Sequence, residues 1–431
     1  MILLNSEKKC VILMYLLFYE VVMINIAILG FGVVGGGITE VIEQNKDKLR
    51  AFVGDDIYVK KILDLRDFPD SPYGDRVVHD VNEIVNDDEI VLVCETMGGV
   101  NPAFDFSMSL MKKGKSMVTA NKELVAKKGL ELTACARENG VQYFFEPSVG
   151  GGIPEIRGMR TSLAGDTISR IDGILNGTTN YILTRMKKEG AQFDAVLKDA
   201  QRLGYAEANP AADVDGLDAQ RKIMILTAVA TDYLVREEDV YCETMTKLTP
   251  ADIDAAKRWG GSVKLLGSSR IEKDSVSLYV APFFVPEACP LSFVEDVYNA
   301  ISIESPVTGD VMFYGRGAGR MPTAGAVVAD VAAILSGLAL KEKQCNWKEA
   351  PEGYVKPFCE NCFSYYVRVK SDFAGEVTEA AKLSFGGVSV LSGSPEGYVE
   401  FITDDCEEKT AQAIINGGTL GQVESVIRIM K

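Results

Sequence analysis

The residues best suited to chemistry lie in Leu203–Lys222, LGYAEANPAADVDGLDAQRK. Asp218 and Lys222 are four residues apart, so on a helix both side chains leave the same face. Leu217, Ile223, Leu226 and Ala230 recur at helical spacing, and Asp218 opens that helix. Pro210, Gly216 and the neighbouring Asn and Asp residues break helical continuity, so Gly204–Gly216 reads as a loop carrying Glu207, Asp213 and Asp215. Acids converging on one lysine at a loop–helix junction suit an amino-acid ligand. A carboxylate would hold the ammonium group while the lysine moves a proton. The competing reading is a solvated acidic loop with a surface ion pair, and the elements around it decide between the two.

The chain has 431 residues, 47% of them hydrophobic, enough for about two or three packed domains. A formal net charge of −16 argues against nucleic-acid binding, because no basic stripe is present to displace counterions from a phosphate backbone. Nine cysteines without regular spacing fit a reducing cytosol and a cytoplasmic protein. Cys359–Cys362 is a CxxC, but with one distant Cys345 and one histidine it lacks the ligands of a structural zinc site. That histidine, His79, reads as a surface residue beside the acidic segment Asp80–Glu89. Residues 1–22 carry a short apolar run, Cys10–Phe18, interrupted by Glu20 and too short to span a bilayer. They read as an atypical extension before Met23, with no membrane partner expected.

Ile24–Leu29 is a strand-like run followed by Gly30-Phe31-Gly32-Val33-Val34-Gly35 and a helix through Ile42. This strand–GxGxxG–helix unit binds a dinucleotide: tight turn, close pyrophosphate approach and close helix packing each require a glycine. The helix N-terminus adds free N–H groups for the phosphate. A second strand, Ile57–Leu63, ends at Asp64-Leu65-Arg66. An acid there suits a ribose 2′-hydroxyl and Arg66 a 2′-phosphate, which leaves NAD and NADP both open. Further strands at Ile90–Cys94, Ser116–Thr119 and Val141–Phe145 alternate with helices, giving a doubly wound, mostly parallel sheet. Ligands of such sheets sit beyond the strands' carboxyl ends, where Thr96, Lys122 and Glu146 fall. Ile168–Leu175 reads as a strand leading to Asn176-Gly177-Thr178-Thr179-Asn180 and a helix, with later strands at Val276–Phe284 and Ile301–Glu304. Gly315–Gly319 forms a second glycine-rich loop at a helix start, placed to return to the cofactor.

These segments resemble homoserine dehydrogenase over residues 24 to about 340, through ILGFGVVGGG, VTANKELVA, FEPSVGGGIP, GILNGTTNYIL, LGYAEANPAADVDGLDAQRK and YGRGAGRMPTA in the family's order. Pro147 stands where the family has alanine, leaving Glu146 in place. The resemblance implies an α/β chain with a Rossmann-type doubly wound nucleotide-binding domain over 23–150, completed by about 310–340. An α+β catalytic and dimerisation domain would span 151–309. The implied reaction is the NAD(P)-dependent interconversion of L-homoserine and L-aspartate 4-semialdehyde, on the way to threonine, methionine and isoleucine. Lys222 would donate and accept the proton with Asp218 beside it, and Lys122 would lie between nicotinamide and substrate. Glu207 would bind the substrate ammonium, with Asp213, Asp218, Thr178 and Gly204 lining the pocket. Gly30, Phe31, Gly32, Val33, Val34, Gly35, Arg66, Thr96, Lys122 and Gly319 would meet the cofactor. Glu146, Val149, Gly151 and Ile153 match the family's monovalent-cation site for sodium or potassium. Two lysines in one pocket should oppose each other's protonation and lower the pKa of Lys222.

Beyond Phe363 the pattern is strand, helix, strand, strand, helix, strand over 364–431, a ferredoxin-like order. With Asp372-Phe373-Ala374-Gly375 at the first strand–helix turn it resembles an ACT regulatory domain. Residues 341–363 read as its linker. Threonine is the expected allosteric ligand, and a homodimer or homotetramer the expected assembly. The rivals are another NAD(P)-dependent amino-acid dehydrogenase and a metabolite sensor without catalysis.

Overall fold

The computed structural model describes residues 23–207, 210–338 and 345–431. The extension over 1–22 and residues 341–344 of the expected linker lie outside them. The chain divides into two compact units: residues 23–121, 131–145 and 323–338, and residues 122–130, 146–322 and 345–431.

In the first unit, β1 (Met23–Leu29), β2 (Asp56–Leu63), β3 (Val77–Val78), β4 (Ile90–Glu95), β5 (Ser116–Thr119) and β6 (Tyr143–Phe144) form one sheet in the order β3-β2-β1-β4-β5-β6. Every pairing is parallel. Such strands are covered on both faces, which is why β1 and β4 read as continuous apolar runs rather than alternating ones. Ile26, Ile28, Leu92 and Val118 pack with Ile38 and Ile42 of helix Val33–Gln44 and with Val327 and Val331 of helix Arg320–Leu335. The strand order reverses between β1 and β4, so a crevice opens at their carboxyl ends.

At that end Glu95 is fully buried and accepts hydrogen bonds from the Thr119 hydroxyl and the Met97 N–H. Burial outweighs these donors and pushes its carboxyl up to about 7, from an ordinary 4.5. Between those values the folded chain keeps a proton that the unfolded chain has released, so this group's stabilisation is full below about 4.5 and lost as pH rises through 7. Glu95→Gln is expected to remove that loss. Denaturant melts at a series of pH values should show the variant gaining on the parent by about 3 kcal/mol across this window. A pH-independent difference would mean that Glu95 does not titrate there.

The second unit is built on a sheet in the order β13-β12-β7-β10-β11-β19-β15-β17-β16, whose last four strands are β19 (Gln422–Ile429), β15 (Cys362–Lys370), β17 (Tyr398–Thr403) and β16 (Val388–Val390). Its first five strands are β7 (Arg170–Ile174), β10 (Gly261–Ile271), β11 (Val276–Pro286), β12 (Tyr298–Ser305) and β13 (Gly309–Arg316). The short β8 (Tyr233–Leu234) and β9 (Tyr241–Cys242) precede β10. Strand β10 is not among the strands expected from the sequence, and it holds Gly261 and Gly267. Gly267 is a close-packing point: a Cβ there would lie 2.8 Å from Leu175 and 3.4 Å from Ile223 of helix Leu217–Thr231.

The C-terminal segment shows the expected six-element order: β15 (Cys362–Lys370), a helix Ala374–Phe385, β16 (Val388–Val390), β17 (Tyr398–Thr403), a helix Glu408–Asn416 and β19 (Gln422–Ile429). The two-residue β18 (Cys406–Glu407) pairs with β15. It is not a free-standing module. β19 pairs parallel with β11 through Phe283–Arg428 and Phe284–Ile429. Phe363, Tyr365, Val367 and Phe401 share one core with Tyr279, Phe283 and Leu291. Nor is the connecting stretch a bare tether. β14 (Lys348–Glu349) pairs with β8, Phe358 stacks on Tyr241 at 3.7 Å, and Tyr354 packs on Tyr233 at 4.9 Å. Pro351, Gly353 and Pro357 redirect the chain, while the aromatic residues between them fasten it.

Candidate active site

Helix Leu217–Thr231 begins as expected just after Gly216, whose φ of 83° suits glycine. A Cβ at Gly216 would also meet Cys242 Sγ at 2.8 Å. The preceding loop contains one unforeseen helical turn, Ala211–Val214, begun at Pro210, whose ring cannot continue a helix but can start one.

Asp218 is the centre of the site. It is 5% exposed, and its two oxygens lie 2.7 Å from Lys122 Nζ and 2.7 Å from Lys222 Nζ. Lys222 Nζ also donates to the Leu175 carbonyl at 2.7 Å, at the end of β7. Burial alone would raise the Asp218 carboxyl, yet the two ammonium groups hold it far below the usual carboxylate range. Burial likewise works against the charge on Lys122, and Asp218 overcomes it and raises that pKa. The two lysines expected to oppose each other thus share one carboxylate. Lys122 is fixed from behind: its neighbour Glu123 accepts from Arg221 Nη2 at 3.1 Å, and Arg221 Nε donates to Glu237 at 3.0 Å.

Asn176, which sequence reasoning gave no role, ties the acids together. Its Nδ2 donates to Asp213 at 2.8 Å and to Asp218 at 2.9 Å, and its Oδ1 accepts from Thr179 N–H as the N-cap of helix Gly177–Glu189. An Asn before Gly-Thr-Thr is an N-cap signal, but nothing in it announces the acids. Burial raises the Asp213 carboxyl. Thr178 donates to the Tyr205 carbonyl at 2.6 Å, joining this loop to the turn at Gly204, where φ is 78°. Glu207 and Asp215 lie on the surface of this loop. Both are exposed, and the Glu207 carbonyl accepts from Gln201 Nε2 at 3.1 Å.

The turn Glu146–Ile153 is buried apart from Gly152. Glu146 accepts N–H bonds from Ile156 at 2.8 Å and Arg157 at 2.7 Å, and burial pushes its carboxyl up to about 7. Gly151 packs backbone to backbone on the second glycine-rich loop: a Cβ there would lie 2.7 Å from the Gly317 carbonyl. Val149 and Ile153 are buried beside it.

In the first unit, Gly30 turns at φ 90°, a Cβ on Gly35 would strike the Gly30 carbonyl at 2.0 Å, and Gly32 faces open space. Thr96 Oγ1 donates to the Gly30 carbonyl at 2.8 Å and holds this loop in place. Val33 and Val34 begin the helix, and Val33 is exposed. Asp64 accepts from the Phe31 N–H at 2.8 Å and from Arg66 Nε at 3.0 Å. The Arg66 guanidinium holds the Asp64 carboxyl down to about 2. His79 is exposed and bridges the Asp64 carbonyl and the Asp67 carboxylate. Gly319 turns at φ 120° ahead of helix Arg320–Leu335. Cys359 and Cys362 are exposed free thiols, and no helix among the described residues is long and apolar enough to cross a membrane.

A glycine-built phosphate cradle on a parallel sheet, with a lysine–aspartate–lysine cluster in the second unit, defines an NAD(P)-dependent oxidoreductase. Residues 30–146 match the family described as "Homoserine dehydrogenase, NAD binding domain", and residues 154–332 that described as "Homoserine dehydrogenase". The chain belongs to the homoserine dehydrogenase family. It is 42% identical over 435 residues to the homoserine dehydrogenase of Synechocystis sp., covering 94% of this chain and 99% of that one. The crystal structure of a homoserine dehydrogenase from Thiobacillus denitrificans covers 95% of this chain and 99% of its own, with a TM-score of 0.86 at 33% identity. A hyperthermophilic archaeal homoserine dehydrogenase mutant in complex with NADPH covers 75% of this chain and 99% of its own, with a TM-score of 0.64 at 29% identity.

Proposed function

We propose that the chain interconverts L-aspartate 4-semialdehyde and L-homoserine with Lys222 as proton carrier, a reading carried by the Asp218 carboxylate that grips both lysines. Bound NAD(P)H supplies the hydride that the aldehyde carbon accepts. Lys222 gives a proton to the developing alkoxide and takes it back in the reverse direction. Asp218 and the Leu175 carbonyl orient its ammonium group. Lys122, half-buried and held by the other Asp218 oxygen, meets the substrate from the open side. Glu207 binds the substrate ammonium, with Gly204, Thr178 and Asp213 shaping the pocket.

The cradle Gly30–Gly35 with Thr96 fits a nicotinamide dinucleotide, and the NADPH complex of a relative supports NADP as one such nucleotide. Asp64 would meet a ribose 2′-hydroxyl, and exposed Arg66 a 2′-phosphate. Arg66→Ala is expected to raise the KM for NADPH about tenfold or more, the scale of one charge-assisted hydrogen bond, and to leave that for NADH unchanged. Equal changes with both nucleotides would remove Arg66 from the 2′-phosphate site.

Glu146 with the backbone oxygens of Val149, Gly151 and Ile153 fits a hard cation such as sodium or potassium, since a buried carboxylate and an irregular glycine-rich turn offer oxygen donors. Residues 364–431 act as an ACT-type sensor of L-threonine in a homodimer or homotetramer, supported by their element order. The test is to mix purified chain, NADPH or NADH and L-aspartate 4-semialdehyde, and to identify L-homoserine chromatographically as NAD(P)H disappears. Absence of homoserine would reject the function. Adding L-threonine while following rate and sedimentation tests the sensor, and no response in either would reject it.

A further inference from the structure

Glu155 is a buried charge that the reaction above does not use. It is 0% exposed, and neither carboxylate oxygen has a hydrogen-bond partner in another residue among those described. Pro154 and the turn Glu155–Arg157 aim it back at the glycine-rich turn. A Cβ on Gly150 would lie 2.3 Å from Oε1 and 2.6 Å from Oε2, so the carboxylate presses on bare backbone where φ is 55°. The Glu146 oxygens accept the N–H groups of Ile156 and Arg157, the two residues that follow Glu155. Two buried carboxylates thus adjoin the one short turn Glu155–Arg157.

Protonation does not resolve this arrangement. A neutral Glu155 would still carry an O–H and a carbonyl oxygen with nothing to bond, and an unmet buried polar group is costly. Ionised, it would be an unpaired buried charge beside a second one. A hard cation meets both needs, because it binds oxygen lone pairs and cancels charge.

We propose that Glu155 is a further ligand of the cation site at Glu146–Ile153, and that its second carboxylate makes the site prefer a divalent, oxygen-seeking ion to sodium or potassium. This rests on the cation-site reading above. Ligand charge count sets which ion is held: one carboxylate balances a monovalent ion and two balance a divalent one.

The test is a Mn²⁺ titration of the full-length protein followed by electron paramagnetic resonance, with thermal melts in Mn²⁺, Mg²⁺, Ca²⁺, Na⁺ or K⁺. The parent chain should bind one Mn²⁺ and melt higher with divalent than with monovalent ions. Losing even an outer-shell partner of a metal typically costs about 10–100-fold in affinity, so Glu155→Gln should weaken Mn²⁺ by at least that while still responding to Na⁺ or K⁺. Glu155→Leu guards against failure of the amide variant to fold: it should fold without added cation and ignore Mn²⁺. Equal Mn²⁺ binding by parent and variants would overturn the proposal. A parent chain stabilised by K⁺ and blind to Mn²⁺ would overturn it while sparing the monovalent site. A parent chain blind to every cation would overturn both.

Discussion

Lys222→Met lowers kcat by about 10²–10⁴-fold, the usual contribution of a positioned acid–base group, and leaves the dissociation constant for NAD(P)H unchanged. The ammonium group is buried with two fixed partners, the Leu175 carbonyl and Asp218. Methionine keeps much of the stem volume and removes only the proton-bearing group. Some loss of stability should accompany the change, because Asp218 loses one of two neutralising charges and the Leu175 carbonyl loses its donor. Lys122 and Asn176 remain on the carboxylate, so the fold should survive. Steady-state rates with fluorescence titration of NADPH separate the two effects. A variant keeping more than about a tenth of the parent rate would take the proton-carrier role from Lys222.

Deleting residues 346–431 abolishes recovery of folded protein. Considered as sequence, this segment is a sensor on a tether that contributes no catalytic residue, and its removal should leave catalysis intact. The structure predicts the opposite. Removing β19 bares the edge of β11, and removing Phe363, Tyr365, Val367 and Phe401 uncovers Tyr279 and Phe283. Each large apolar side chain returned to water costs about 1.5–3 kcal/mol, and several together exceed the typical stability of a whole protein, about 5–15 kcal/mol. Ion pairs also cross this boundary, among them Arg428–Glu243 at 2.7 Å, Arg368–Asp252 at 3.0 Å and Arg258–Glu400 at 2.5 Å. A milder form of the same experiment is Arg428→Met in the full chain. Glu408, 4% exposed, would lose the guanidinium that binds both its oxygens, at a cost of about 3–5 kcal/mol. Solubility, circular dichroism and denaturant melts read both changes. A truncated chain that melts cooperatively and turns over at the full rate would show that the segment folds apart from the catalytic sheet.

What the sequence disclosed follows from what backbone geometry demands. Gly30 and Gly35 must be glycines because the turn and the helix contact leave no room for a Cβ, so the nucleotide cradle is written in the residue types. Asp218 and Lys222 meet because four residues make one helical turn. Other features depend on partners far along the chain. Strand β10 gave no sign in the sequence, because the contacts that fit Gly267 into it, Leu175 and Ile223, come from other elements. The span 341–363 read as linker because Pro and Gly signal direction, whereas Phe358 finds Tyr241 only in three dimensions. Asn176 was legible as a helix cap but not as the bond between Asp213 and Asp218. Glu155 left one trace, a charge set between Pro154 and Ile156. Spacing likewise brought Lys222 to Asp218, but only the fold brings Lys122 to its other oxygen.

The most direct test of the lysine–aspartate–lysine site is the rate of NADPH oxidation on adding L-aspartate 4-semialdehyde, measured for the parent chain and for Asp218→Asn. An amide keeps the shape and surrenders the charge that orients Lys222 and Lys122. The expected result is rapid conversion to L-homoserine by the parent chain, and a rate at least about 10²-fold lower in the variant, with NADPH affinity unchanged. Parent-level turnover by Asp218→Asn, or no homoserine from the parent chain, would contradict the account.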